Sequence, residues 1–216
     1  MAAWNPMDTT TPMDYFRSLV ASDAQFPLLE AAASLAHVQH PHTDVQAVLA
    51  QVDGWLVRLR RRLSKDTDPI AKLRLVNRFF FEELGFAGNV NDYYAPENSF
   101  MHCVIESRRG IPISMAVLWL ELGQSIGLPV FGVGFPGHFL VKLDLPAPQE
   151  GHVVIDPFSG ESLSREDLCE RLMPWLPGVK LGHSHAVSDD ALAFHLQAAE
   201  PREIIARMLR NWHEIY

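Results

Sequence analysis

The chain has 216 residues, of which 48% are hydrophobic, and it carries a net charge of −8 and two cysteines. Its length suffices for one ordinary core, and two distant cysteines exclude a disulfide framework or a four-cysteine zinc site. The acidic balance argues against nucleic acid as a partner. Because the sequence has neither a secretory signal pattern nor the roughly 18 uncharged apolar residues of a membrane span, we expect a cytoplasmic protein that contacts no membrane.

Helices are predicted for the first part of the chain. The stretch "HTDVQAVLAQVDGWLVRLRRRL" has apolar residues at helical spacing, and Thr43 with Gln46 predicts a capping box at its start. A second helix is predicted to begin at Asp68-Pro69 and to end before Gly85. Proline suits the first turn of a helix, and glycine suits the position after the last turn.

A loop and two further helices are predicted next. The stretch "FAGNVNDYYAPENS" is rich in glycine and asparagine and predicts a loop, after which Asn98 or Ser99 is expected to cap "FMHCVIESRR". Residues 110–129, "GIPISMAVLWLELGQSIGLP", are apolar on every helical face. This pattern predicts a fully buried helix that begins near Pro112.

The pattern then changes to β structure. The runs "PVFGVGF" and "HFLVKL" predict a hairpin with its turn at Pro136-Gly137, and "HVVIDPF" predicts a third strand. Ser164 with Asp167 predicts a capping box for "REDLCERLM", and two helical stretches end the chain. Helices, an antiparallel meander and more helices predict an α+β fold rather than alternating βαβ units.

Two polar side chains stand at the ends of predicted strands. His138 begins one strand and Asp156 ends another. An aspartate beside a histidine fixes the imidazole tautomer and forms two-thirds of a Cys-His-Asp catalytic system. A plainer interpretation, which spacing alone favours, is a half-buried histidine with satisfied hydrogen bonds and an aspartate that caps the turn before Pro157.

The central part of the chain resembles a known superfamily. The stretch "RRGIPISMAVLWLELGQSIGLPVFGVGFPGHFLVKL", followed by "IDPFSGESL", resembles the transglutaminase-like superfamily of the papain-like cysteine enzymes. Together with "ELGFAGNVNDYYAPENSF" it resembles, more narrowly, the SirB family of bacterial proteins. The resemblance covers residues 30–170 and implies a small antiparallel sheet packed on the central helix.

The same resemblance divides the chain into three predicted parts. Residues 1–62 are an N-terminal helical region, residues 63–176 a transglutaminase-like core, and residues 177–216 a C-terminal helical extension. The terminal stretch "IIARMLRNWHEIY" is similar to the start of the tetratricopeptide-like tail that SirB proteins carry.

The resemblance also implies that a nucleophile has been lost. In the enzymes of the superfamily a catalytic cysteine stands at the start of the helix, and a strand histidine and a strand aspartate follow. The resemblance places Pro112 at the position of the cysteine and His138 and Asp156 at the other two positions. SirB proteins commonly carry proline there too. Proline fits the first helical turn, but it cannot attack an acyl group.

Two residues are candidate substitutes for the lost nucleophile. Cys103 precedes Pro112 by nine residues, and its apolar neighbours predict a packed thiol. Ser114 lies in the first turn of the helix, where a serine more often bonds backbone N–H groups. Cys169 is expected to be structural.

Histidine pairs raise the question of a metal site. His40-Pro-His42 and His183-Ser-His185 are pairs of a kind that chelate zinc weakly, but neither has a third ligand at short spacing. We interpret them as surface histidines and expect neither a metal nor a cofactor.

Two functions follow from these residues. The first is a non-catalytic transglutaminase-like protein that acts as a binding or protein-interaction module for an unidentified protein or peptide. The alternative is a residual cysteine or serine hydrolase or acyl transferase that uses Cys103 or Ser114 with His138 and Asp156. The proline at position 112 favours the first function.

Overall fold

The computed structural model describes residues 11–64, 66–147, 150–176 and 187–215, which form helices at both ends of the chain and a small sheet between them. The helices are α1 (Pro12–Leu19), α2 (Leu28–Ser34), α3 (Val45–Arg60), α4 (Pro69–Asn77), α5 (Met101–Ser107), α6 (Pro112–Ser125), α7 (Arg165–Leu172), α8 (Asp189–His195) and α9 (Pro201–Ile215). The strands are β1 (Ala87–Gly88), β2 (Arg109–Gly110), β3 (Val130–Val133), β4 (Leu140–Leu145), β5 (Gly151–Ile155) and β6 (Ser162–Leu163). This arrangement confirms the α+β fold class.

The larger sheet is an antiparallel meander in the order β3-β4-β5-β6. The turn between β3 and β4 contains Gly137, as the hairpin prediction required. Gly137 has a φ of +68°, and a Cβ added there would lie 2.6 Å from the ring of Trp175. Glycine is needed at this position for both reasons, and the turn delivers His138 just before β4.

The central helix α6 is buried along most of its length, and only its last turns, with the exposed Gln124, reach the surface. Eleven of its residues are buried, including Pro112, Ser114 and Trp119. Strands β3 and β4 pack on one side of α6, while α2, α4, α5 and α9 cover the rest. The indole N–H of Trp119 donates to Asn77 Oδ1 at 2.9 Å, so the one polar atom of this large side chain is satisfied. The predicted buried helix is therefore confirmed.

The helix predicted between Asp68 and Gly85 is present but changes its geometry. Asp68 caps α4 by accepting a hydrogen bond from Ala71 N at 2.9 Å. After Asn77 the chain continues as a π-helical turn over Arg78–Glu83, and Gly85 follows with a φ of +75°. The wider turn lets two consecutive phenylalanines, at positions 79 and 80, both lie in the core.

Two predicted helix caps were wrong. Asp44, rather than Thr43, caps α3, because its carboxylate accepts the Ala47 N–H at 2.9 Å. Phe100 is the N-cap residue of α5, and its side chain makes no capping bond. Asn98, which was expected to cap that helix, instead turns back to the preceding loop.

The last helix belongs to the same core as the first ones. Ile204, Ile205 and Met208 of α9 lie in one buried cluster with side chains of α2, α3 and α6. On the surface, Arg202 pairs with Asp23 at 2.9 Å. The helix α9 is thus packed into the body of the protein, while the division of the chain at residues 62 and 176 stays a prediction.

Within the part of the chain that the structure describes, none of the helices is both long and apolar enough to cross a membrane.

The packing of α9 generates a stability prediction. We expect Ile204→Ala to lower the free energy of unfolding by about 2–4 kcal/mol, because it removes buried methyl groups from a closed core. The exposed His213 on the same helix supplies the control, and His213→Ala should change this free energy by less than about 0.5 kcal/mol. Urea denaturation measures both. If both variants lower the free energy of unfolding by the same small amount, α9 does not contribute to the core.

Candidate functional site

Pro112, His138 and the loop before α5 meet at one cavity. Its volume is about 550 Å³, and both Pro112 and His138 line it. Pro112 lies in the first turn of α6, and His138 lies in the turn that enters β4. The structure thus brings the first two predicted site positions to the same space, although 26 residues separate them in the sequence.

The third predicted residue, Asp156, is a buried carboxylate directly after β5. Its Oδ1 lies 2.8 Å from His138 Nε2 and accepts the Phe158 N–H at 2.9 Å. Its Oδ2 accepts a hydrogen bond from Arg171 Nη1 at 2.8 Å. Burial raises the pKa of Asp156, but the hydrogen bond and charge of His138, together with the hydrogen bonds from Arg171 and the Phe158 backbone, outweigh burial and lower this pKa to about 2. Asp156 is therefore ionised throughout the physiological pH range.

Arg171, on α7, was missed by the sequence reasoning. It gives the Asp156 carboxylate a permanent cationic partner, so the charge of the carboxylate is balanced whether or not the imidazole is protonated. In a catalytic triad the aspartate instead supports an imidazolium that forms during the reaction. Here the Asp156 carboxylate accepts hydrogen bonds from Arg171 and from the Phe158 N–H in addition to its contact with His138.

The side chain of Ser114 forms hydrogen bonds with the backbone at the start of α6. Its hydroxyl is fully buried, accepts the Ile111 N–H at 3.1 Å and donates to the Ile111 carbonyl at 3.0 Å. Both of its hydrogen-bonding roles are thus used by the backbone, as one of the sequence interpretations predicted. Ser114 does not line the cavity.

Cys103 lies on α5, outside the wall of the cavity. Its Sγ is 3.2 Å from Nε2 of His102. Burial raises the pKa of the Cys103 thiol, and the nearby carboxylates of Glu97 and Glu106 raise it further. The thiol is therefore protonated at neutral pH and poorly nucleophilic. Cys169 is fully buried, as expected of a structural cysteine.

The loop before α5 supplies the aromatic wall of the cavity through Tyr93 and Tyr94. Asn98, which is buried, fixes the loop by donating to the carbonyls of Asp92 at 2.7 Å and Tyr93 at 3.0 Å. The Tyr93 ring also packs edge-on against Phe158, two residues after Asp156, with 5.8 Å between the ring centroids. The loop is thereby tied to the same strand end as the carboxylate.

Arg207 of α9 is a second functional residue that sequence reasoning missed. Its Nη2 donates to the carbonyl of His138 at 2.7 Å and to that of Phe135 at 3.2 Å. Burial and the neighbouring Arg210 lower the pKa of Arg207. Arg207 clamps the turn that carries His138, and nothing in the sequence links two residues 69 positions apart.

The structure describes only one of the two His-x-His pairs predicted to lie on the surface. His183 and His185 lie outside the described residues. His42 is exposed, as predicted. His40 is also exposed, but it packs against the ring of His102, with 5.1 Å between the ring centroids.

Comparison with known proteins points to one family. The family model described as "Transglutaminase-like superfamily" matches residues 46–210. A UPF0162 protein of Xylella fastidiosa (strain Temecula1) is 38% identical over 195 residues, which cover 90% of this chain and 66% of that protein. A UPF0162 protein of Vibrio cholerae is 30% identical over 182 residues, which cover 84% of this chain and 63% of that protein. The chain thus spans a little under two thirds of the length of these relatives.

A shorter similarity extends to a eukaryotic protein. F-box only protein 21 of Mus musculus is 43% identical over 70 residues, which are 32% of this chain and 11% of that protein. No solved structure matches the chain significantly.

The Asp156 network generates a pH-dependent prediction. Since the folded state lowers the pKa of Asp156 from 3.8 to about 2, this group stabilises the fold above pH 4 by about 2 kcal/mol. The contribution is lost as pH falls, with about half of it gone at pH 3. We therefore expect Asp156→Asn to lower the free energy of unfolding by about 2 kcal/mol at pH 6 and by less at pH 3. Urea denaturation at both pH values measures the difference.

Asp144→Asn is the matched control. Asp144 is half exposed and pairs with Lys142 at 3.2 Å on the surface, so its loss should cost about 0.5 kcal/mol or less. If the two variants behave alike at both pH values, Asp156 does not contribute the buried, charge-dependent stability described above.

Proposed function

The chain belongs to the transglutaminase-like superfamily, and from that premise we propose that it is a non-catalytic binding module whose cavity beside Pro112 and His138 receives a peptide segment of a partner protein. We also propose that the chain is a member of the SirB family. We further propose that its last helix begins a tetratricopeptide-like tail. They are supported by the sequence resemblance described above.

The observation that carries the proposal is the composition of the cavity wall. Acyl transfer needs a nucleophile within about 3 Å of its base. Pro112 stands where the superfamily resemblance places the cysteine, and the described residues that line the cavity include no cysteine, serine or threonine. The phenol of Tyr93 is no substitute, because burial and the adjacent Tyr94 raise its pKa. Among the described residues of the cavity wall, His138 therefore has no thiol or aliphatic hydroxyl to activate.

The chemistry of the wall supports a peptide as the ligand. Tyr93 and Tyr94 offer large amphipathic surfaces, which suit a side chain that needs both apolar contact and hydrogen bonds. Arg210 and Glu214 of α9 place both signs of charge at the rim. A mixed rim around an aromatic centre is typical of surfaces that bind proteins rather than nucleic acid.

Restoring the nucleophile tests the position of Pro112. The thiol of Pro112→Cys would lie at the start of α6, where the helix dipole favours a thiolate, and would face the cavity that His138 also lines. We expect it to react with iodoacetamide at least about tenfold faster than Cys103 or Cys169, as measured by mass spectrometry of the labelled peptides.

Two outcomes would count against this part of the proposal. The first is that the new thiol of Pro112→Cys reacts no faster than the same thiol in a double variant that also carries His138→Ala. The second is acyl transfer or amide hydrolysis by the unaltered protein that Cys103→Ser or Ser114→Ala abolishes. The second outcome would establish the alternative function, a residual hydrolase or transferase.

A binding experiment tests the cavity itself. Peptides selected from a random displayed library on the unaltered protein should lose at least about tenfold in affinity for Tyr94→Ala, because a large aromatic contact at the mouth is removed. Phe194→Ala is the control, since Phe194 is a similarly exposed ring on α8 that does not line the cavity. Fluorescence anisotropy gives the affinities. Peptides that bind both variants equally well would place the binding site elsewhere.

A further inference from the structure

Three side chains of metal-binding type converge beside α5, where the sequence predicted no more than surface histidines and a packed thiol. His40 comes from the segment between α2 and α3, while His102 and Cys103 are consecutive residues of α5. Their ligand atoms all lie within 4.8 Å of one another. None of these three described residues lines the cavity or bonds to Asp156.

We propose that His40, His102 and Cys103 bind one Zn²⁺ ion. Imidazole nitrogen and thiolate sulfur are the donors that zinc takes up in proteins, at about 2.0 Å and 2.3 Å from the metal. In a tetrahedral site these bond lengths separate sulfur from nitrogen by about 3.5 Å. The observed separation of 3.2 Å between Cys103 Sγ and His102 Nε2 needs only a small adjustment.

The packing of the rings supports the same site. His40 contacts both Phe100 and His102 edge-on, with 5.1 Å between ring centroids in each pair, and its ligand nitrogen lies within 4.8 Å of the Cys103 sulfur. Nδ1 of His102 is buried and has no hydrogen-bond partner among the described residues. Because Nε2, rather than Nδ1, lies beside Cys103 Sγ, the ion would be bound through Nε2, and Nδ1 would carry the proton of the neutral imidazole.

The charge balance favours a cation. When the Zn–S bond forms, Cys103 gives up its proton to solvent, and the ion neutralises the resulting thiolate. Glu97 and Glu106 lie close enough to act electrostatically on Cys103, and their negative charges attract a divalent cation. Three protein ligands leave the fourth position of a tetrahedral ion for water.

The ion would connect two parts of the chain. His40 follows α2, and α5 leads through β2 to the start of α6. A bond between these segments would stabilise the packing of the N-terminal helices on α5. Since the three ligands lie outside the wall of the cavity, this proposal does not rest on the proposed function.

The test measures zinc and cobalt binding by the 216-residue chain, produced without a histidine tag and stripped of metal with a chelator. Zinc affinity is measured by competition with a chromophoric chelator. Co²⁺ serves as a spectroscopic probe, because a cobalt–thiolate bond gives a charge-transfer absorption in the near ultraviolet. We expect one ion per chain, the thiolate absorption with Co²⁺, and a melting temperature that rises with zinc.

The variants locate the ion. His40→Ala, an exposed substitution that leaves the core intact, and Cys103→Ser should each weaken zinc binding at least about tenfold. Cys103→Ser should also abolish the thiolate absorption. His42→Ala, two residues from His40, should leave the affinity within about twofold of the unaltered chain. The absence of stoichiometric binding, or equal affinity in His40→Ala and His42→Ala, would overturn the proposal.

Discussion

A helix that is apolar on nearly every face is stable in water only when other elements cover most of its surface. The helix α6 imposes this constraint, and the rest of the fold meets it: the meander covers one side, and helices from both ends of the chain cover the other. The start of α6 is buried as well, so its free backbone groups need partners inside the protein. Pro112 removes one N–H from that requirement, and Ser114 bonds both backbone groups of Ile111.

The buried carboxylate of Asp156 is held by bonds that do not involve Pro112. Asp156 is held by His138, by Arg171 and by the backbone of Phe158, and none of these bonds depends on a nucleophile. The carboxylate would be costly to bury without them, because a buried charge is tolerated only when it is paired and hydrogen-bonded. These bonds stabilise the His138–Asp156 pair irrespective of any chemistry in the cavity.

Local patterns were sufficient for much of the architecture. The capping box of Ser164 and Asp167 forms with bonds of 3.1 Å and 2.8 Å, as its sequence spacing predicted. The buried helix and the meander also follow from patterns within single segments, because hydrophobic periodicity and turn residues act over a few positions. Caps were less reliable: Thr43 and Asp44 are both good capping residues, and the structure has Asp44 in this role.

The sequence by itself determined the fold class, the buried helix, and the His138 and Asp156 positions at the ends of adjacent strands. These features could be predicted because each depends on the residue types within a short segment. The tertiary structure alone decided that Arg207 clamps the turn of His138, that Arg171 balances Asp156, and that His40 meets His102. Each of these contacts joins residues 15 or more positions apart on different elements. Such contacts depend on how the elements pack together, and residue patterns within a single segment do not predict that packing.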